Sequence, residues 1–119
     1  MEQEYIKGDI VVYDNGIHTI MDTLGLNNYE LSYISHPVHQ LELSGVPITP
    51  EILEKNGWKK FKRPYSSDYC YRRKSYPTLN IRSEKEVYFH WGDHDRSIIT
   101  IHQLQHLLFG LGLNSEMEV

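Results

Sequence analysis

The stretch that indicates the fold most clearly is residues 9–21, which read DIVVYDNGIHTIM. Its first half is a run of β-branched and aromatic residues, and its second half alternates apolar and polar residues with a period of two. Between them lie Asp14, Asn15 and Gly16, residue types that tolerate a positive φ. The stretch therefore predicts two antiparallel strands joined by a tight turn. Two more candidate strands, 29–34 and 39–43, complete a small, strongly curved sheet or barrel.

After Gly45 the pattern favours a helix. Thr49 is a good N-cap, Pro50 suits the first helical position, and Asn56-Gly57 supplies a stop. The predicted helix has only about two turns, so tertiary packing must hold it.

The second half of the chain predicts three strands and a second helix. The strands are expected at 69–76, 78–82 and 85–91, and Gly92 to Asp95 is expected to form a polar turn. Thr100 is a plausible cap for the last helix, whose apolar residues follow helical spacing. Gly110 and Gly112 weaken and end this helix, and the tail from Asn114 is expected to fray.

These elements predict an α+β fold: an N-terminal small curved β unit, a short helix, a second antiparallel sheet and a C-terminal packing helix. We interpret residues 1–119 as one domain with a β-rich part, 1–45, and a helix–antiparallel sheet–helix part, 46–119. Because the apolar content is modest for two sheets, we also expect self-association through a sheet edge or a helix face.

The composition points to the cytoplasm. Cys70 is the only cysteine, so the chain forms no intrachain disulfide, which fits a reducing compartment. The acidic N-terminus lacks the basic and apolar regions of a signal peptide, and the apolar runs are too short to span a membrane. We therefore expect a soluble cytoplasmic protein without a membrane partner.

Charge is strongly segregated along the chain. Residues 1–54 carry a net charge of −8, residues 55–74 carry +7, and residues 75–119 carry −3. Clustered Lys and Arg attract phosphates or acidic protein surfaces. The competing interpretation is that the basic segment is neutralised internally by the acidic N-terminal half, and the sequence leaves both open.

Two segments resemble a known family. Residues 46–58 read VPITPEILEKNGW and residues 101–109 read IHQLQHLLF. Together they resemble a family of small proteins encoded by phages, prophages and mobile elements of Bacteroides-type bacteria. Residues 8–11, GDIV, are similar to its N-terminal strand. This chain departs from the family in having His106 where Asn is common and Gly-Leu-Gly at 110–112.

The resemblance implies an origin and a fold class, and it supplies no site residues. Some small phage proteins disarm bacterial immune systems by binding their proteins or nucleotide signals. By this association, the chain is expected to act in counter-defence, in the cytoplasm of the host cell.

Basic and aromatic residues interleave in the middle of the chain. Arginine offers a planar fork to phosphate, and tyrosine or tryptophan offers a face on which a base can stack. The predicted ligand-binding residues are Arg63, Tyr69, Tyr71, Arg72, Arg73, Lys74, His90, Trp91 and Arg96. We predict no catalytic residue, no metal ligand and no cofactor.

The favoured function is a non-enzymatic protein that binds and sequesters a small anionic, nucleotide-like ligand. A long nucleic acid is disfavoured, because the acidic flanks would be repelled along it. The alternative is a protein–protein inhibitor that binds an acidic host surface, since Tyr, Trp and Arg are also interface hot-spot types. Convergence of the basic side chains on one concave pocket would favour the nucleotide.

The third interpretation is a small metal- or histidine-dependent enzyme. His102 and His106 have the i, i+4 spacing of helical metal ligands, and His94 lies between Asp93 and Asp95. The competing interpretation is that these histidines are structural, hydrogen-bonding residues.

Overall fold

The computed structural model describes residues 4–25, 27–62, 69–83, 86–91 and 94–119, with the main chain alone at 62, 69, 82, 83, 91 and 94–96. Its elements are β1 (Ile10–Tyr13), β2 (Gly16–Leu24), β3 (Asn28–Leu31), β4 (Val38–His39), β5 (Ser44–Gly45), α1 (Pro50–Lys55), β6 (Lys59–Lys62), β7 (Tyr69–Arg72), β8 (Thr78–Ser83), β9 (Glu86–Trp91), β10 (His94–Ser97) and α2 (Ile101–Gly110). Two antiparallel sheets with helices confirm the predicted α+β class.

The chain divides into two compact units, Met1–Val46 and Pro47–Val119. The sequence places the corresponding boundary one residue earlier, and the interpretation of the two parts as one domain stays a prediction. Along the described ranges, no helix combines the length and the apolar character needed to cross a membrane.

The N-terminal unit is a sheet of five strands in the order β4-β3-β2-β1-β5. The β1–β2 hairpin pairs Tyr13 with Gly16, which leaves Asp14 and Asn15 as its two-residue loop. Both loop residues have positive φ, 48° and 63°. A turn with two such residues matches the twist of its flanking strands, so the predicted hairpin is confirmed.

The core of this unit is formed by aromatic and aliphatic side chains from β1 to β4 and from the segments before β1 and before β5. Its buried residues are Tyr5, Val11, Ile20, Tyr29, Leu31, Val38 and Leu43. The hydroxyl of Tyr29 donates to Oε1 of Gln40 at 2.6 Å, which satisfies a phenol that is 1% exposed.

One strand predicted in this unit is wrong. Residues Gln40–Glu42 form a single turn of 3-10 helix in place of the strand expected at 39–43. The ring of His39 accepts the N–H of Leu41, and the Glu42 carboxylate accepts the N–H of His39. These local bonds compete with strand pairing, although the residues alternate as in a strand.

The C-terminal unit contains a five-stranded antiparallel meander in the order β10-β9-β8-β7-β6. Register pairs Tyr71 with Leu79 and Leu79 with Phe89, so these three side chains form a row on one face of the sheet. All three are buried, with at most 4% exposed. This row is the apolar centre of the sheet.

Both helices begin from paired segments and end in the same way. Pro47 bridges Thr100 in antiparallel fashion, and Ile48 N donates to Ile99 O at 3.0 Å. Each helix then starts at the threonine predicted to cap it, Thr49 or Thr100. The predicted helices are therefore confirmed.

The helix ends use glycine in the left-handed region. After α1, Gly57 has φ +96° and Trp58 N donates to Leu53 O. After α2, Gly112 has φ +73° and Leu113 N donates to Leu108 O. This bond, which runs from the residue after the glycine to the carbonyl five residues before it, is the Schellman end, and it satisfies carbonyls that the helix leaves open.

Several predictions for this unit are corrected. β6 was not predicted, β7 ends at Arg72 and not at residue 76, and residues 94 and 95 belong to β10 and not to a polar turn. Gly92 and Asp93 of that expected turn lie outside the described residues, as do residues 84 and 85. The tail expected to fray from Asn114 is hydrogen-bonded to α1 and α2.

Candidate functional site

The described part of the basic segment is organised by the end of β7. The strand pairs Tyr71 with Leu79, and after Arg72 the chain turns back, with Tyr76 N donating to Arg73 O at 3.0 Å. Ser75 has φ +67° within this turn. The turn brings Arg73 and Tyr76 to the same place, which a continuous strand over 69–76 would not do.

Arg73 stacks on two aromatic rings. Its guanidinium carbon lies 3.9 Å from the centroid of the Tyr76 ring and 5.1 Å from that of Trp58. The two rings meet edge to face, with centroids 5.6 Å apart and an interplanar angle of 78°. Trp58 is 1% exposed and donates from Nε1 to Pro77 O at 3.1 Å. The platform under Arg73 is therefore fixed by burial and by a buried hydrogen bond.

Arg72 stacks on a different ring. Its guanidinium carbon lies 3.8 Å from the centroid of Phe61 in the neighbouring strand β6. Arg72 pairs with Lys59, and Phe61 pairs with Cys70, so Arg72 and Phe61 are diagonal neighbours on one face of the sheet. Arg72 is exposed and Phe61 is half-buried, so this pair lies at the surface.

Stacking does not use the in-plane edges of the guanidinium groups of Arg72 and Arg73. A stacked guanidinium uses its face for the ring and still presents N–H donors in its plane, in a fork that matches carboxylate or phosphate. Within the described residues of the C-terminal unit, no carboxylate forms an ion pair with Arg72 or Arg73. The alternative in which the acidic N-terminal half neutralises the segment stays a prediction.

The structure separates the predicted ligand-binding residues. Arg72 and Arg73 are adjacent but stack on different rings, and Lys74 is exposed in the turn that follows. His90 is half-buried on β9, opposite Thr78. Arg63 and the side chains of Tyr69, Trp91 and Arg96 lie outside the described residues.

Tyr71 is a correction to the predicted set. It is 1% exposed in the buried row of the sheet, so its ring has no open face on which a base could stack. Its neighbour Cys70, on the opposite face of β7, is buried as well, because a strand inside the sheet can be covered on both faces.

A cavity of about 550 Å³ lies beside Arg73 and was not predicted. Its lining residues are Lys55, Asn56, Gly57, Arg73, Asn114, Glu116, Met117 and Glu118. From the sequence, Asn56-Gly57 is predicted only to end the first helix, and the tail is predicted to fray. The acidic and amide residues of the tail are the sequence feature that could have indicated this cavity. Their contact with the end of α1, however, joins residues that are 62 positions apart in the chain.

The histidines of α2 are held by structural contacts. Nδ1 of His102 lies 3.0 Å from the hydroxyl of Thr100, and the His102 and His106 rings meet edge to face at 5.8 Å. His102 is 5% exposed. Over the ranges that the structure covers, no three His, Cys, Asp or Glu residues are grouped as a metal site would require.

Comparison with known proteins adds no relative to this geometry: no protein-family model, no curated protein and no solved structure matches the chain.

Proposed function

We propose that this protein is a non-enzymatic binding protein that sequesters an anionic partner, and that the favoured partner is an acidic surface of a host protein. The setting is the one that the family resemblance implies, a phage or mobile-element protein acting against a host defence factor. The absence of enzymatic activity stays a prediction, and so does self-association through a sheet edge or a helix face.

The observation that carries the proposal is the pair of stacked guanidinium groups. Arg73 lies on Tyr76 and Trp58, and Arg72 lies on Phe61. A side chain that is already held on a ring loses less conformational entropy when it binds, so each fork is pre-organised. Arginine and aromatic residues are also the types that dominate the energy of protein interfaces.

The same rings favour a carboxylate partner over a base. A bound base needs a free aromatic face, and guanidinium groups cover one face of Phe61 and one of Tyr76. Tyr71 and Trp58 are both 1% exposed. Because Arg72 does not line the cavity beside Arg73, the two forks present a spread surface and not one pocket.

A nucleotide-like immune signal is the second candidate. The cavity beside Arg73 has the volume of a small-molecule site, and Lys55 supplies a second cation to its lining, which also carries the carboxylates of Glu116 and Glu118. A compact anion also suits a segment of charge +7 between acidic flanks better than a long polyanion does. Phosphate groups could use both cations without any base stacking.

The proposal is tested with a fluorescent octaglutamate peptide and, in parallel, with mono-, di- and cyclic nucleotides, at low ionic strength. We expect the peptide to bind, and Arg73→Gln to weaken it about fivefold, which corresponds to about 1 kcal/mol for a partly exposed ion pair. Lys7→Gln is the charge-matched control, because Lys7 is an exposed cation of the other unit, and it should leave binding within twofold.

Three outcomes decide between the candidates. Peptide binding that falls with Arg73→Gln and holds with Lys7→Gln supports the protein partner. Saturable binding of a nucleotide with no binding of the peptide replaces it with the second candidate. Equal losses in both variants would mean that only net charge is sensed, and the proposed site would then be wrong.

A further inference from the structure

Residues 113–119 lie against the rest of the C-terminal unit, and their burial has the pattern of an extended segment. Burial alternates along them: Leu113, Ser115, Met117 and Val119 are half-buried, whereas the three residues between them are exposed. A period of two is the pattern of an extended chain with one face on a surface. The segment thus packs on the protein through its odd-numbered residues.

The hydrogen bonds that hold this segment recognise its main chain. Glu118 N donates to Oδ1 of Asn56, and Nδ2 of Asn56 donates to Glu118 O, both at 2.8 Å. Nζ of Lys55 donates to Val119 O at 3.2 Å, and Nε2 of Gln105 donates to Ser115 O at 3.1 Å. Side chains of α1, its C-cap and α2 therefore form hydrogen bonds with the main-chain N–H and C=O groups of the segment, which are the groups that a neighbouring strand would also bond.

Asn56 is oriented by α1 and not only by the segment it holds. Its Nδ2 also donates to Ile52 O at 2.7 Å, which caps a carbonyl of the last helical turn. The second Nδ2 proton and Oδ1 then project as a donor and an acceptor side by side. The end of α1 is thus pre-organised to form hydrogen bonds with the main chain of whichever peptide lies on it.

We propose that the surface on which residues 113–119 lie is a peptide-binding groove, which those residues occupy in cis. Lys55, Asn56 and Arg73, which line the cavity, form one part of this groove, and Gln105 of α2, which donates to Ser115 O, forms the other. Its partner in trans is an extended acidic segment of another protein, with glutamate or aspartate alternating with apolar residues. The tail itself shows this chemistry, because Glu116 and Glu118 line the cavity beside Lys55 and Arg73 while Met117 and Val119 are half-buried.

This inference deepens the proposed function, since it names the kind of protein segment that the Arg73 side would bind. Its failure can be told apart from failure of that function. Arg72 does not line this cavity, so octaglutamate binding at Arg72 would persist if the groove took no peptide.

The tail and a partner compete for the same groove. A segment joined to the groove by a short linker acts at an effective concentration of about millimolar, so in the wild-type chain the tail lowers the apparent affinity of the groove for a partner. Glu118→Pro removes the N–H that donates to Asn56 and leaves Lys55, Asn56, Arg73 and Gln105 unchanged. Proline also keeps Met117 extended, so the lost donor is the main change.

The test measures the fluorescence anisotropy of a labelled, amidated LNSEMEV peptide, the sequence of residues 113–119, added to the 119-residue chains. We expect the peptide to bind the Glu118→Pro chain at least about tenfold more tightly than wild type, because the cis competitor is weakened. Glu118→Ala is the matched comparison, since it removes the carboxylate and keeps the N–H, and we expect it to gain less peptide affinity than Glu118→Pro does.

A second peptide changes no protein residue. LNSEMEV with an N-methyl group on its second glutamate cannot donate to Asn56, and we expect it to lose binding to the Glu118→Pro chain. Equal binding of the methylated and unmethylated peptides, or of a scrambled peptide, would overturn the proposal. So would a Glu118 amide in the wild-type chain that exchanges with solvent at the unprotected rate.

Discussion

The guanidinium carbon of Arg73 lies 3.9 Å above the ring centroid of Tyr76, three residues further along the chain. The contact depends on the turn after β7, in which Tyr76 N donates to Arg73 O. Trp58, at the end of α1, completes the platform from a distant part of the sequence. The position of the Arg73 guanidinium, and with it the binding of an anionic partner that we propose, therefore depends on how α1 ends.

Arg73 should contribute to stability as well as to binding. Cation–π contacts at exposed sites contribute about 0.5–1 kcal/mol, so Arg73→Ala should lower the free energy of unfolding by about 1 kcal/mol in urea denaturation. Arg73→Lys keeps the charge but loses the planar stack, so we expect it to lie between wild type and alanine. A loss in Arg73→Lys as large as that in Arg73→Ala would show that charge is irrelevant to the contact.

Gly57 and Gly110 form a matched pair of substitutions. Gly57 has φ +96°, and a Cβ there would lie 3.4 Å from Nε of Arg73, so Gly57→Ala should destabilise the fold by about 1–2 kcal/mol. Gly110 is in α2, and among the described residues no atom beyond its chain neighbours and the backbone of its own helix lies within 4 Å of the place that a Cβ would take, so Gly110→Ala should stabilise the fold by about 0.5–1 kcal/mol. Thermal unfolding of both variants checks the opposite signs, and equal signs would contradict the account of the helix end.

Trp58 should be sensitive even to a conservative change. Trp58→Phe removes the Nε1 donor to Pro77 O and leaves that carbonyl buried without this partner. An unsatisfied buried polar group costs about 1–3 kcal/mol, in addition to the volume lost from the core. The measurement is the urea midpoint, with a slope that stays constant between variants. A change below about 0.5 kcal/mol would show that the hydrogen bond contributes little.

The raised pKa of Tyr5 predicts that the protein loses stability at high pH. Burial, aided by the negative charge of Glu4, raises the pKa of its phenol from 10.0 to about 12. The folded state therefore holds this proton more tightly than the unfolded state does, and the stability it confers is full below pH 10 and is lost as pH rises through about 12.

The check is urea unfolding of wild type and Tyr5→Phe between pH 9 and pH 12. Phenylalanine has no proton to release, so the difference in stability between the two chains should shift against wild type across this range. Parallel curves would mean that the pKa of Tyr5 is the same in both states.

The helices could be predicted from sequence because their determinants are local. Thr49 and Thr100 cap the starts, and Gly57 and Gly112 form the ends, each within a few residues of the helix it bounds. The β1–β2 hairpin is local for the same reason. In such places a short pattern and the tertiary fold agree.

The two strands of the C-terminal unit that the sequence did not predict were missed for one physical reason. β6 and β10 are the two edges of that sheet, and their sequences, KKFK and HDRS, are charged or polar. Edge strands are kept from aggregating by such residues, so their sequences resemble loops. Pairing with β7 or β9 determines these strands, and a single sequence does not display that pairing.

The candidate site was only partly predictable for a related reason. The Arg73–Tyr76 contact is local, but the groove joins Asn56 to Glu118, 62 residues apart. Basic and aromatic composition indicated the region that carries Arg72 and Arg73, whereas burial of Tyr71 and docking of the tail depend on tertiary packing. Composition can predict what kind of partner a segment attracts, and contacts decide which residues meet it.

The central claim is that the forks of Arg72 and Arg73 contact an anionic partner, and NMR of the arginine side chains tests it most directly. In a titration of the ¹⁵N-labelled wild-type chain with octaglutamate, we predict saturable shifts of the Nε–Hε signals of Arg72 and Arg73. Backbone amides of residues 10–24 should stay unchanged. Unmoved arginine signals at peptide saturation, or shifts confined to other residues, would contradict the account.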